Sequence, residues 1–203
     1  MGLRAEKAEA TRARLIEVAG ELFGERGYDD TPIEEVLERT GVSKGALYHH
    51  FPSKESLFEA VYRWGEQKCL EEIAQAALKE TDPLAMLRAG CQMFLDLVMD
   101  PHIRQVALID GPAVLGWKRW REIDEEYAFG LTKHALQQAA DAGAIRGENV
   151  EITAHLAMAM LSEAAMLVAQ ADDKQKARAE AGGAVDRMIA ALADPELTSR
   201  RTG

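Results

Sequence analysis

Residues 31–54 carry helix start and stop signals so closely spaced that only short helices fit between them. Thr31 fits an N-cap, Pro32 fits the first helical position, and Glu34 completes a capping box. Gly41 then forms a tight turn, since only glycine enters the left-handed conformation at low cost. The pattern predicts one short helix that begins at Pro32 and ends at this turn.

A second short helix is predicted directly after the turn. Ser43 is its N-cap, Pro52 stops it after about two turns, and Ser53 caps a long fourth helix. The helix that precedes both has an apolar face at helical spacing, formed by Leu15, Ile16, Ala19, Leu22 and Phe23. The first part of the chain is therefore predicted to be a module of three helices, followed by a longer fourth one.

The charge pattern singles out the same segment. Residues 39–54 contain no Asp or Glu, although the chain has 34 acidic residues and a net charge of −10. Arg39, Lys44 and Lys54 supply the formal charges there, and two histidines lie between them. Such a positive island in an acidic protein is a candidate polyanion-binding surface, and short helices that carry basic and hydroxyl groups suit the DNA major groove. The pattern favours a focused DNA contact over a nonspecific one.

The rest of the chain also favours helix. It has only six prolines and 47% hydrophobic residues, and helix-forming residue types are frequent throughout. We expect a fourth helix to about Lys79, a loop at residues 110–116 (DGPAVLG), a seventh helix over residues 117–142 and a ninth that ends near residue 194. The tail at residues 198–203 is predicted to be disordered.

Localisation signals are not found in the sequence. The N-terminus lacks the apolar region of a signal peptide, and polar residues interrupt the most apolar stretch, residues 154–171, so no membrane span is predicted. Cys69 and Cys91 indicate free thiols in a reducing cytoplasm, with a redox role as the alternative to buried structural cysteines.

The run TPIEEVLERTGVSKGALYHHFPSKESLFEAV resembles the TetR family of bacterial transcriptional regulators, over roughly residues 9–64. The resemblance implies an all-α fold of nine helices. It implies a helix-turn-helix DNA-binding domain at residues 1–53, with the start of helix four to about residue 64. Residues 54–203 would form a regulatory, ligand-binding and dimerisation domain.

The resemblance also implies which residues lie at the DNA: Thr31, Ser43, Lys44, Gly45, Ala46, Tyr48, His49, His50 and Lys54. Four of them would contact phosphates, namely Thr31, Tyr48, His50 and Lys54. Four would face bases, namely Lys44, Gly45, Ala46 and His49. From the residues alone, Tyr48 and His50 could instead be half-buried structural side chains.

Small residues in the last two helices suggest close packing against a second subunit, with an intrachain contact as the alternative. The predicted dimer residues are Ala157, Met160, Ala164, Gly182, Val185 and Ile189. A pocket for a small apolar or aromatic effector is predicted among the middle helices, with its mouth beside residues 110–116. The predicted lining is Trp64, Phe94, Trp117, Trp120 and Tyr127, although such residues are also typical of plain core.

No enzyme motif is present in the sequence: it has no H-E-x-x-H, no di-iron E-x-x-H pair, no G-x-S-x-G and no phosphate-cradling glycine loop. The chain is thus expected to be neither an enzyme nor a cofactor or metal protein. The expected function is a cytoplasmic, nucleoid-associated homodimer that represses transcription from an inverted-repeat operator and is released by an inducer. The alternatives are a constitutive regulator, an activator, and a helical module that binds protein.

Overall fold

The computed structural model describes residues 2–193, and these residues form helices with no β-strand among them. The helices are α1 (Leu3–Arg26), α2 (Ile33–Thr40), α3 (Lys44–His50), α4 (Lys54–Ala77), α5 (Pro83–Leu97), α6 (Pro101–Arg104), α7 (Gly111–Asp124), α8 (Gly130–Asp141), α9 (Val150–Gln170) and α10 (Lys174–Ala190). Wider π-helical turns occupy Gln105–Asp110 and Glu125–Phe129. The all-α prediction is confirmed. The predicted tail and the predicted end of the last helix near residue 194 lie outside the described residues.

Residues 101–141 are helical except at Gly116, and this corrects the predicted loop at residues 110–116. Only Gly116 leaves the helical conformation, at φ 76° and ψ 151°, and it kinks the run there. Since positive φ costs little only in glycine, the kink is confined to that residue. Two helical segments therefore lie on either side of Gly116.

Gly111 has a packing role within this helical segment. A Cβ at Gly111 would lie 2.9 Å from Cδ1 of Trp120, so the glycine lets the indole pack directly on the helix backbone. The indole Nε1 of Trp120 donates a hydrogen bond of 2.9 Å to the carbonyl oxygen of Ala107. The glycine that suggests a loop in the sequence is therefore a packing residue inside a helix.

The described residues cluster into two compact units. Within the described part of the chain, the first consists of residues 2–66 and 101–121, and the second of residues 67–100 and 122–193. The first unit thus includes residues 101–121, which the sequence places in the second domain. Its core contains an aromatic cluster of Phe23, Tyr28 and Phe58, with ring centroids between 5.3 and 5.7 Å apart.

Thr31 does not cap α2, although the sequence predicts that it does. The N-cap residue of α2 is Pro32, with no side-chain cap bond, whereas Thr31 is fully buried. Its Oγ1 lies 2.8 Å from the carbonyl oxygen of Gly27 and 3.2 Å from that of Leu22. The hydroxyl satisfies carbonyl groups at the end of α1, where intrahelical donors run out, and this contact takes the place of the cap.

In the second unit, α10 packs against α5 and α9, and α8 packs against the same two helices. Arg178 of α10 donates to Asp96 Oδ1 at 2.8 Å and to the Gln92 carbonyl oxygen at 3.0 Å. Gln92 Nε2 in turn donates to the Gly182 carbonyl oxygen at 3.0 Å. These bonds hold α10 in one register against α5, because each helix supplies both donors and acceptors.

The same contacts correct part of the predicted dimer surface. Gly182, Val185 and Ile189 are buried within the chain, and a Cβ at Gly182 would lie 2.8 Å from Gln92 Oε1. Ala164 is buried as well. For these four residues the structure supports the intrachain alternative, since small side chains let α10 approach its neighbours closely. Ala157 and Met160 remain partly exposed.

Helix α9 is long and apolar enough to cross a membrane by length and composition, and only 28% of its most apolar window is buried within the chain. A core helix of a soluble protein can pass the same test, so composition does not decide its role. Its exposed side includes Ile152, Leu156 and Leu167, each at least 59% exposed. This exposed apolar side is a surface that needs a partner.

We expect Gly111→Ala to destabilise the protein, by about 1–3 kcal/mol, because the added methyl group meets the fixed indole of Trp120. The matched control is Gly130→Ala in the same helical run, where an added Cβ has nothing within 4 Å. That control should be neutral or stabilising by up to about 1 kcal/mol, because alanine favours helix. Urea unfolding followed by circular dichroism measures both. Equal stability of the two variants would contradict the packing role of Gly111.

Candidate nucleic-acid interface and ligand cavity

Helix α3 presents most of the residues that the sequence predicts at the DNA. Its N-cap is Ser43, whose Oγ accepts a hydrogen bond of 3.3 Å from the Ala46 N–H, as predicted. Leu47 is fully buried and anchors the helix, while Tyr48 is 40% exposed and His49 is exposed. Because Leu47 is buried, the polar face of this two-turn helix is directed toward solvent.

Gly45 is an open position on that face. A Cβ built there has no protein atom within 4 Å, so the fold does not require glycine at this position. The residue is helical, which makes glycine less stable than alanine there by up to about 1 kcal/mol. Neither a turn nor a packing contact explains the glycine at this position. Close approach of another molecule to the backbone is consistent with it.

Lys44 forms an ion pair that the sequence analysis missed. Its Nζ lies 3.0 Å from Oε1 of Glu34 on α2, and both side chains are more than 60% exposed. Their hydrogen bond lowers the pKa of Glu34 and raises the pKa of Lys44. Glu34 lies outside the acid-free run in sequence, yet the turn between α2 and α3 brings it to the positive island. The lysine stays free to exchange this exposed partner for an anion.

Arg39 also has acidic partners at the surface. Its Nη2 lies 3.4 Å from Glu35 Oε1 and 3.8 Å from Glu25 Oε2. By contrast, Arg12 of α1 lies over the ring of Phe51, with Cζ 5.3 Å from the ring centroid, and extends the basic surface beside α3. His50 is half-buried beside the same phenylalanine, with ring centroids 6.3 Å apart.

Lys54 has an intrachain role that differs from the predicted phosphate contact. Its Nζ donates to the carbonyl oxygen of Tyr28 and lies 4.2 Å from the centroid of the Tyr28 ring. The N–H of Tyr28 donates to Asp110 Oδ2 at 2.8 Å. Burial lowers the pKa of Lys54 and raises the pKa of Asp110. The side chain fastens the loop after α1 to the start of α4.

Thr31 is likewise unavailable to DNA, because its side chain is fully buried and its hydroxyl faces carbonyl groups of α1 and the following loop. The predicted residues that the structure brings to one exposed face are therefore Ser43, Lys44, Gly45, Tyr48 and His49, with Ala46 and His50 half-buried at its edge.

A cavity of about 290 Å³ lies within the second unit. It is bounded by the second half of α4, by α5, by the run from Asp124 to Gln138, and by α9. Hydrophobic residues dominate the lining, including Leu70, Ile73, Met86, Phe94, Leu131 and Met158. Pockets that bind small molecules are mostly apolar with a few polar groups, and this cavity matches that description.

Of the five residues predicted to line a pocket, only Phe94 is among the described lining residues. Trp120 is buried in the first unit and Trp64 packs near Gly20, with its Cζ3 at 3.4 Å from a Cβ built there. Trp117 is 63% exposed, and Tyr127 is half-buried in the second π-helical turn. Aromatic content alone misplaced the pocket, because these aromatic side chains serve as core or lie on the surface.

Cys91 also lines the cavity. Burial raises the pKa of its thiol to about 12, so the thiol stays protonated at neutral pH. Since the thiolate is the reactive form, the structure favours a packing role for Cys91.

Two family models match the chain. One, described as "Bacterial regulatory proteins, tetR family", matches residues 15–61, which include α2 and α3. The other, described as "Tetracyclin repressor-like, C-terminal domain", matches residues 84–192, more than half of the chain. The chain belongs to the TetR family. It is accordingly a transcriptional regulator and not an enzyme, as the sequence predicts.

TetR-family proteins with solved structures share the fold. A regulator from Pectobacterium atrosepticum is 27% identical, with a TM-score of 0.84 over 95% of this chain and 98% of that one. RolR in complex with resorcinol is 23% identical, with a TM-score of 0.70 over 95% of this chain and 99% of RolR. The second likeness shows the fold alone.

Among TetR-family relatives, the transcriptional activator FasR of Mycolicibacterium smegmatis is 37% identical over 87 residues. That match covers 43% of this chain and 40% of FasR. Members of the family bind operator DNA as dimers, often bind small molecules, and are soluble cytoplasmic proteins.

We expect Lys54→Ala to lower the free energy of unfolding by about 1–2 kcal/mol, because it removes the bond to the Tyr28 carbonyl group and the cation–π contact. Urea unfolding measures this loss. The matched control is Lys44→Ala, which removes only an exposed ion pair and should leave stability unchanged. If both variants were as stable as the parent chain, Lys54 would not fasten the loop, and its predicted phosphate contact would be favoured again.

Proposed function

We propose that the chain is a homodimeric repressor that binds an inverted-repeat operator through α3 and is released by a small molecule bound in the cavity. The description of the matching C-terminal family model as tetracycline-repressor-like supports repression. FasR, by its name, is an activator. Activation is therefore the second candidate for the sign of regulation.

The exposed face of α3 is the observation that carries the DNA-binding part of the proposal. Lys44 at the helix start can reach a guanine edge, and Gly45 lets the backbone approach the groove. Ala46 and His49 are proposed to face bases as well. Tyr48 and His50 are proposed to contact phosphates, and the Ser43 hydroxyl is a further donor at the same helix end. Thr31 and Lys54 are left out, since both are held within the fold.

Gly45→Ala tests this part of the proposal with little risk to the fold. The added methyl group meets no protein atom within 4 Å, so the unfolding curve should be unchanged or shifted toward higher stability. Operator affinity should fall by roughly tenfold or more, because the methyl group lies where DNA would approach α3. Footprinting upstream of the chain's own gene can identify the operator, and titration of that fragment gives the affinity.

The matched control is Gly65→Ala in α4, where an added Cβ also has nothing within 4 Å. This variant should bind the operator as the parent chain does. Undiminished binding by Gly45→Ala would remove α3 from the interface.

A second copy of the chain is proposed to cover the apolar side of α9. Ile152, Leu156, Met160 and Leu167 share one face of the helix at helical spacing, and three of them are more than half exposed. Met188 on α10 adds an apolar side chain that is 56% exposed. Isolated soluble chains rarely leave so much apolar surface on one helix. Of the dimer residues predicted from sequence, Met160 lies on this face.

We expect Leu156→Glu to convert the protein to monomers, because a buried charge without a partner is costly in an apolar interface. Sedimentation equilibrium measures the oligomeric state, and circular dichroism checks that the helices remain. The matched control is Ile109→Glu, a similar change at a 49% exposed residue of the first unit. A dimer that persists in Leu156→Glu would place the interface elsewhere.

The cavity supports the ligand-responsive part of the proposal. Its size and apolar lining suit a small molecule, and RolR, with the same fold, has been solved with resorcinol bound. An inducer must prefer the conformation with low DNA affinity, so operator and inducer should weaken each other's binding by the same factor.

A further inference from the structure

The ion pair of Lys44 and Glu34 lies on the surface that is proposed to face the major groove. Lys44 is the first residue of α3, and Glu34 lies in the first turn of α2. The Nζ of Lys44 and Oε1 of Glu34 are 3.0 Å apart, and both side chains are exposed. The pair therefore presents a hydrogen-bond donor and an acceptor side by side to a molecule that approaches α3.

Both groups can bind a further molecule while they remain bonded to each other. An ammonium group has three N–H donors, and a carboxylate has about four acceptor sites. Glu34 accepts from Lys44 and from a backbone N–H of its own residue, which leaves acceptor sites on the carboxylate. A phosphate beside the pair would be repelled by Glu34, whereas the edge of a base pair carries no net charge. The pair thus suits a base edge better than a phosphate.

The spacing of the pair matches the major-groove edge of a G·C base pair. Guanine O6 is an acceptor and cytosine N4 is a donor, and since they are hydrogen-bonded to each other they lie roughly 2.9 Å apart. Lys44 can donate to O6 and N7 of guanine while Glu34 accepts from N4 of cytosine. A T·A pair offers O4 and N6 in the same places but lacks the guanine N7 acceptor beside O4. The reversed pair, C·G, places the donor at Lys44 and the acceptor at Glu34, so both contacts are lost.

We infer that Glu34 is a specificity-determining residue, which together with Lys44 reads one G·C pair in each half-site of the operator and disfavours contact of Lys44 with phosphate. The inference rests on the proposed function, because it requires α3 to lie in the major groove. The acid-free run at residues 39–54 does not include Glu34, and the turn between α2 and α3 brings the carboxylate to Lys44.

Selection by the full chain from a library of random-sequence duplexes measures the base preference directly. The parent chain should prefer G·C over C·G at one position of each half-site by roughly tenfold or more, with T·A between them. Glu34→Ala should reduce this preference several-fold, because the acceptor for cytosine N4 is gone. Lys44→Ala should reduce the preference at the same position, because the two side chains read one base pair.

The matched control is Glu38→Ala, which removes the same charge from another exposed residue of α2. It should keep the base preference of the parent chain. A duplex of scrambled sequence supplies a second measurement. Glu34→Ala should bind that duplex more tightly and with a salt slope steeper by about one, because Lys44 can then bind a phosphate. Glu38→Ala should keep the parent slope, and circular dichroism should show the same helix content for all variants.

Three results would overturn the inference: a base preference that survives Glu34→Ala, an equal loss of preference in Glu38→Ala, or an unchanged salt slope of Glu34→Ala on the scrambled duplex. Failure of the proposed function gives a different result. In that case the parent chain selects no common sequence, or Gly45→Ala binds the selected sequence as tightly as the parent chain does, and the inference fails with it.

Discussion

The backbone of Tyr28 is the junction on which the first compact unit depends. Its N–H donates to Asp110, and its carbonyl group accepts from Lys54, while its ring packs between Phe23 and Phe58. One residue thus connects the end of α1, the start of α4 and the π-helical turn before α7. Thr31, three residues later and directly before α2, bonds to the carbonyl oxygen of Gly27 in the same loop. Each bond is partly shielded from water, where an unmade hydrogen bond costs more than a made one contributes.

The partners of the basic side chains bear on how an acidic chain could contact DNA. Lys54 bonds to the Tyr28 carbonyl group, while Arg39 and Lys44 each have acidic partners at the surface, so these three cations are partly compensated by other groups of the chain. A large counterion-release contribution would need many lysines and arginines at phosphates. The open backbone at Gly45 and the hydroxyl and imidazole groups of α3 indicate close groove contact instead. We therefore expect fit to the groove to contribute more to operator recognition than net charge, and the acidic remainder of the surface disfavours nonspecific binding.

Local signals predicted the helices well, because caps, glycine turns and apolar spacing act within a few residues of each other. Ser43 caps α3 and Leu47 is buried, as the sequence indicates. The errors involve specific packing and hydrogen-bond contacts, which residue spacing and helix capping signals do not show. Thr31 forms a hydrogen bond with a carbonyl group at the end of α1 instead of capping α2. Gly111 allows close packing of Trp120, and Gly182 allows close packing of Gln92 and Arg178. A glycine in a sequence can signal a turn, a close contact with the same chain or a close contact with another molecule. The surrounding atoms show which role applies: Gly116 forms a kink, Gly182 is in close contact with the same chain, and Gly45 is open to another molecule.

Helix α4 gives the proposed function a physical route between ligand and DNA. Its first residue, Lys54, bonds to Tyr28, and its second half, from Leu70 onward, lines the cavity. A continuous helix of 24 residues is about 36 Å long and stiff compared with a loop. In the proposed function, a ligand that contacts Leu70, Ile73 or Ala77 would act on the same helix whose first residue bonds to Tyr28. Whether such a ligand releases DNA depends on its preference between two positions of α4, since a molecule that binds both positions equally changes neither population.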